Sequence, residues 1–172
     1  MTGYCQGMAD SHLPGVEPDD FKAALGRWAS GITVVTAQGP DGPVGLTASA
    51  FSSLSLHPPL ILVCIGMASY HHEHLTDAPG FGVHILDSTQ EEVSDTFAFK
   101  REGRFEGVAV EEGPLGVPLL PGSLARLACE RHAVVDGGDH SILVGRVLQA
   151  DVTDGQPLAW WQGGYRRLAD LG

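Results

Sequence analysis

Positive charge is scarce in this chain. Ten lysines and arginines stand against 21 aspartates and glutamates, a formal net charge of −11. So acidic a surface repels phosphate backbones, which argues against nucleic acid as a partner, and against an anionic membrane surface on the same ground. An anionic nucleotide would have to be held by backbone N–H groups and individually placed arginines. Cysteine is rare as well. Cys5, Cys64 and Cys129 are an odd set with no CxxC unit. Cys64 and Cys129 lie in apolar, strand-like runs and read as buried thiols, which favours a reducing cytoplasm. The longest apolar run, residues 60–68, is too short to span a bilayer. The first twenty residues have no basic segment followed by an apolar core, so no signal peptide is expected. GxGxxG, Walker and GxSxG motifs are absent, and no nucleophile–base pair stands in a recognisable context.

Glycine, by contrast, is plentiful, with 23 residues spread along the chain beside 11 prolines. That distribution predicts many short strands joined by turns rather than a disordered tract. Residues 1–17 read as a loose arm and residues 18–172 as one domain. Pro18 suits the first turn of a helix whose apolar stripe is Phe21, Ala24, Leu25 and Trp28, with Gly31 ending it. β-Branched residues predict a strand over 32–37, and the turn at residues 39–42 returns the chain as a second strand over 43–51. Further strands are expected over 60–65, 81–86, 125–132, 141–150 and 158–161. A polar helix is expected over 69–78. A capping box with Ser88 as N-cap and Glu91 reaching back predicts another helix, to about Ala98. Residues 100–122 lack periodicity and read as a surface loop. About seven strands with hairpin-like connections and two or three helices point to a mainly β protein, an antiparallel barrel with peripheral helices.

Five hydroxyl residues fall within residues 47–55, between a strand and Pro58-Pro59. Small side chains leave backbone N–H groups accessible, so such a stretch can bind a phosphate or the polar edge of a heteroaromatic ring. A solvated serine-rich loop explains the composition equally well, and unaided it is the favoured reading. Gly137-Gly138-Asp139-His140 opens a strand. Glycine lets a ligand approach the backbone, and Asp139 can orient His140, although a plain hairpin turn with an exposed histidine accounts for the same residues. Arg104-Phe105 offers a cation beside a ring. His71, His72 and His74 invite a metal reading, but the spacing is not that of an HExxH helix and no fourth ligand is evident, so no metal is expected.

Taken in order, these segments resemble one family. Residues 21–37 (FKAALGRWASGITVVTA), residues 45–64 (GLTASAFSSLSLHPPLILVC), residues 81–86 (FGVHIL), Phe97-Ala98, Arg104-Phe105, Gly138-Asp139-His140 and Pro157-Leu158 follow at the spacing of the flavin reductase-like FMN-binding proteins. These are the small reductase partners of two-component flavin monooxygenases. The resemblance covers residues 18–168. It implies a six-stranded antiparallel split β-barrel that forms a homodimer, with flavin near the subunit interface. It implies an NAD(P)H:flavin oxidoreductase (EC 1.5.1 type) using FMN or FAD with NADH or NADPH, and handing reduced flavin to a flavin-dependent monooxygenase.

The resemblance also assigns residues. Flavin contacts fall on Thr47, Ala48, Ser49, Ala50, Phe51, Cys64, Ile65, Ser69 and Phe97, and Arg104 joins them as a cofactor-binding residue. Gly138, Asp139 and His140 match a motif associated with nicotinamide, and His140 is the catalytic candidate. Two positions depart from the family pattern: Ala50 stands where a second serine is usual, and His84 where an asparagine is usual. A lost hydroxyl would weaken polar contacts to flavin, and His84 would alter the fit at the ring edge. No arginine stands beside the Gly-Asp-His turn to grip a 2′-phosphate, which leans towards NADH. The rival readings are a flavoprotein that stores FMN without efficient turnover and a relative of the pyridoxamine-phosphate oxidases.

Overall fold

Alternation and β-branching make this a strand-dominated chain. The structure is a computed structural model, and it describes residues 14–168. Helix α1 (Pro18–Leu25) precedes strands β1 (Ser30–Gly31), β2 (Thr33–Gly39), β3 (Gly42–Ala48), β4 (Phe51–Ser55) and β5 (Leu60–Gly66). Then come α2 (His72–Asp77), β6 (Gly80–Ile85), α3 (Glu91–Phe99), β7 (Glu111–Glu112) and β8 (Pro118–Leu119). The long strands β9 (Ala125–Asp136) and β10 (His140–Val152) follow, then β11 (Ala159–Trp161) and β12 (Gly164–Arg166). The main sheet runs β3-β2-β6-β9-β10-β5-β4. Every neighbouring pair in it is antiparallel.

This sheet is rolled. Its two outermost strands, β3 and β4, are consecutive in the chain and joined only by Ser49 and Ala50. Seven flat strands would put those edges roughly 29 Å apart at about 4.8 Å per strand. Three peptide units reach at most about 11 Å. The edges therefore curl towards each other, and the Cys64 N–H of β5 donates to the Ala50 carbonyl at 2.9 Å. Two register shifts between β9 and β10 add twist where curvature is needed. Inside the roll, Val35, Val63, Phe81, Val83 and Leu143 form the main core. A second cluster, including Ile32, Val34, Leu86, Phe97 and Leu158, seats α3 and the C-terminal strands on the outside.

Several expectations need adjustment. The predicted strand over 43–51 is two strands, because the chain leaves one sheet edge at Ala48 and joins the other at Phe51. That crossover raises the sheet from the expected six strands to seven. Helix α1 ends at Gly26 rather than Gly31, and its stripe is not buried. Phe21, Leu25 and Trp28 are 56%, 52% and 76% exposed. The polar helix is shorter than 69–78. The capping box does not form: the N-cap of α3 is Gln90, with no side-chain cap bond. Instead, Asp87 accepts the Thr89 N–H, and the Gln90 side chain accepts the Asp87 N–H, one residue out of the predicted frame. Residues 100–122 are not wholly surface, for Val117, Leu119 and Leu120 are buried against the sheet. Cys129 is buried, and burial pushes its thiol up to about 12. Cys64 is only half-buried. Cys5 and most of the predicted arm lie outside the described residues. Among the described residues no helix is long and apolar enough to cross a membrane.

Candidate active site

The crossover that rolls the sheet also makes the site. Ser49 and Ala50 are exposed at the point where the chain passes from β3 to β4, and their small side chains leave the backbone uncovered. A cavity of about 300 Å³ lies against them. Its lining joins Thr47, Ala48, Ser49 and Ala50 of the crossover to Cys64, Ile65 and Gly66 at the end of β5. Ser69, Phe97, Arg104 and His140 border the same space. Residues up to 94 positions apart, Leu46 and His140, thus share one hollow.

His140 reaches the cavity through strand pairing. It is the register partner of Gly66. A Cβ on Gly66 would stand 3.5 Å from His140 Nε2, so the missing side chain leaves room for a ligand beside the ring. The Asp139 carboxylate lies 2.7 Å from His140 Nδ1 and fixes it as the protonated nitrogen, which presents Nε2 to the cavity side. Hydrogen bonding from His140, and then its charge, hold the Asp139 carboxyl below the usual carboxylate range. Gly138 adopts φ +84°, and its N–H donates to Asp136 at 2.9 Å, which shapes the turn. Gly138 and Asp139 border the turn rather than the cavity, and Asp136 had no signal in the sequence beyond its turn-forming type.

Arg104 is the single lysine or arginine of the cavity wall. Its guanidinium donates to the Lys100 and Gly45 carbonyls, tying residues 100–104 to β3. Its Nη2 has no protein partner among the described residues and is available to an anion. Burial draws the Arg104 pKa down, and an arginine stays charged regardless. Phe105 is not on the wall of this cavity: it packs edge-on against buried Phe97, centroids 5.0 Å apart. Gly45 is needed beneath them, because a Cβ there would meet the Val35 carbonyl at 2.9 Å and the Phe97 ring at 3.0 Å.

Other expected site residues fall into different roles. The Thr47 hydroxyl donates to the Ser94 carbonyl at 2.6 Å, docking α3 on β3 at the cavity rim. Phe51 lines not this cavity but a neighbouring hollow of about 530 Å³ that also reaches α1 and Trp160, and it packs against the main core. That hollow is the larger, but its walls are mostly apolar and it lies off the His140 side, so the smaller one is the candidate site. His84 borders neither. It is fully buried and bonded to backbone on both ring nitrogens, so its expected influence on the flavin ring edge gives way to a role in the core. Leu46, Gly66 and Ala98 also line the cavity: strand register brings in Leu46 and Gly66, and Ala98 comes with Phe97 on α3. The three histidines of residues 71–74 diverge: His72 Nε2 pairs with the Ser141 hydroxyl at 2.8 Å, while His71 packs on Tyr70. Among the described residues no group of three histidine, cysteine, aspartate or glutamate side chains is gathered for a metal.

A flat polar-edged ring fits this space. It would have uncovered backbone at Ser49-Ala50 along one edge, an open place beside Gly66 and His140, and an unpartnered guanidinium nitrogen for a phosphate.

Comparison with known proteins gives the family. The flavin reductase like domain matches residues 25–169, and the chain belongs to that family. It is 42% identical over 166 residues to FMN reductase (NADH) SmoA of Agrobacterium fabrum, covering 94% of each chain. It is 44% identical over 149 residues to the reductase component of 4-hydroxyphenylacetate 3-monooxygenase from Thermus thermophilus, covering 86% of this chain and 95% of that one. Among solved structures it resembles the NADH:FAD oxidoreductase SgcE6 of Streptomyces globisporus C-1027, solved with NAD and FAD fragments. There the TM-score is 0.84 at 35% identity, over 92% of this chain and 99% of that one.

Proposed function

We propose that this chain is an NAD(P)H:flavin oxidoreductase (EC 1.5.1 type) that reduces FMN or FAD and supplies the reduced flavin to a partner flavin-dependent monooxygenase. One observation carries the reading. The Ser49-Ala50 crossover, Arg104 and His140 border a single cavity although nothing in their sequence spacing requires it. A flavin held there would offer N5 as the hydride acceptor, with the nicotinamide C4 as the donor. Such a transfer asks the protein for order and distance rather than for a nucleophile or strong base. Ser49 and Ala50 present backbone to the ring edge, Arg104 neutralises the phosphate, and His140, oriented by Asp139, positions the nicotinamide. NADH is favoured over NADPH, as no arginine neighbours the Gly138 turn in sequence.

The rolled sheet reads as the six-stranded split barrel, with β4 as an added edge strand. The Ala50–Cys64 hydrogen bond, which brings the end of β3 to β5, supports that closure. A second copy of the chain is the proposed cover for the exposed apolar side chains of α1 and for Leu54 and Leu56 at the β4 edge. Free Cys64 and Cys129 fit a reducing cytoplasm as the place of work.

The test is steady-state oxidation of NADH and NADPH with FMN, FAD or riboflavin in excess. Multiple turnovers are expected with NADH. Flavin binding without nicotinamide oxidation would favour the rival reading, a flavoprotein that stores FMN.

A further inference from the structure

The candidate cavity ends at Arg104, and a second hollow begins on the other side of the same side chain. It measures about 410 Å³ and is bordered by the β2–β3 turn at Asp41, by Tyr70 and His71 before α2, and by residues 101–106. The proposed hydride transfer makes no use of it. We propose that this hollow receives the adenylate half of FAD, so that the protein selects FAD over FMN. The proposal rests on the reading that the first cavity holds the flavin ring.

Orientation supplies the first argument. A flavin nucleotide is anionic only at its phosphate end, and the molecule as a whole carries a net charge of −11. Its phosphate must therefore be met by a placed cation. Arg104 is the single lysine or arginine on the wall of the first cavity, and it also lines the second hollow. With the ring beside Ser49, Gly66 and His140, the phosphate falls at Arg104. FMN ends there. Anything attached beyond that phosphate passes over Arg104 and enters the second hollow, which shares this side chain with the first.

The second argument is the chemistry of the hollow. Tyr70 is 68% exposed, yet its ring is held edge-on by His71 at 4.9 Å between centroids. A fixed, solvent-facing aromatic ring is a stacking surface for a base. Arg101 adds a second cation for a second phosphate. Asp41, Glu102 and Glu106 offer carboxylate acceptors suited to ribose hydroxyls and an exocyclic amine, and they make the hollow a poor trap for free polyphosphate. His71 is only 8% exposed, and its Nδ1 is buried with no partner. Burial, then Arg104, then His74 lower the His71 pKa, which favours the neutral ring that packs against Tyr70.

An adenylate can also come from the nicotinamide dinucleotide. The first cavity separates the two sources, because the dinucleotide would arrive beside His140.

Titrations of the full chain with FAD, FMN and riboflavin, read by flavin fluorescence or calorimetry, test the inference. FAD is expected to bind about tenfold or more tightly than FMN, the size that base stacking on an aromatic ring supplies. Tyr70→Ala should bring FAD affinity down to that of FMN while FMN affinity and the NADH KM stay put, and free AMP should compete with FAD but not with FMN. Equal FAD and FMN affinities in the wild type, or a Tyr70→Ala variant that weakens both flavins alike, would overturn it. So would a Tyr70→Ala variant that raises the NADH KM and spares FAD, which would assign the adenylate to the dinucleotide. If no flavin binds at all, the reading of the first cavity falls as well, which is a different failure from tight FMN with no advantage for FAD.

Discussion

His84 donates its Nδ1–H to the Val34 carbonyl at 2.9 Å from the interior of the protein. The other ring nitrogen accepts the Leu120 N–H at 3.0 Å, which assigns the proton to Nδ1. One neutral imidazole therefore ties β2 and β6 to the chain leading into β9.

This arrangement makes stability depend on pH. Burial, opposed by the Val34 bond and aided by Arg126, lowers the His84 pKa from 6.5 to about 4. Between those values the unfolded chain binds a proton that the folded chain refuses. Stability is therefore fully present above pH 6.5 and falls as the pH drops towards 4, by about 3 kcal/mol from this group. Urea denaturation at pH 7 and pH 5, in wild type and His84→Leu, measures it. The variant should lose about 2–4 kcal/mol at pH 7, because two buried backbone groups lose their partner. Its decline towards pH 5 should be shallower than that of the wild type. Parallel declines in both proteins would remove His84 as the cause.

Ser49 is exposed on the crossover, so enlarging it costs the core nothing. Ser49→Leu should leave the denaturation midpoint nearly unchanged and weaken flavin binding about tenfold or more by covering the backbone. Wild-type flavin affinity in this variant would return the 47–55 segment to an ordinary solvated loop.

For His140 the expected defect is kinetic. His140→Ala removes the ring facing Gly66 and leaves the crossover intact. Misplacing the donor carbon by ~1 Å costs on the order of a hundredfold in reduction rate. Stopped-flow reduction with NADH, beside a flavin titration of the same variant, separates the roles. Lost flavin affinity with unchanged reduction would mean that His140 serves the other ligand.

Assembly is checked by sedimentation at micromolar concentration. Trp28 and Leu56 are 76% and 75% exposed, which is costly for side chains of this size in a monomer. A homodimer is expected, and Trp28→Lys combined with Leu56→Lys should weaken it. A stable wild-type monomer would overturn the assignment of a second copy to these side chains.

Local pattern was enough for the element types: the β-branched run of β2, the alternating residues of β9 and the Gly138 turn all appear where spacing and composition put them. The family was legible too, from motifs in order. Short-range signals say little, however, about which edges meet. A six- or seven-strand count turns on whether the chain continues past Ala48 or crosses to the far edge, and that is decided by rolling the sheet around Val35, Phe81 and Leu143. Long-range pairing likewise brings His140 opposite Gly66, commits the Thr47 hydroxyl to α3, and leaves Phe51 on the neighbouring hollow. Sequence also misread His84, because a histidine on a strand looks alike whether it faces a ligand or a pair of backbone groups. Only burial, which depends on residues 36 and 50 positions away, made it a core residue. The amino-acid order by itself determined the elements and the family, since these rest on neighbours along the chain. The site and the roles of its side chains were decided by tertiary structure, since they rest on contacts between residues that the chain keeps far apart.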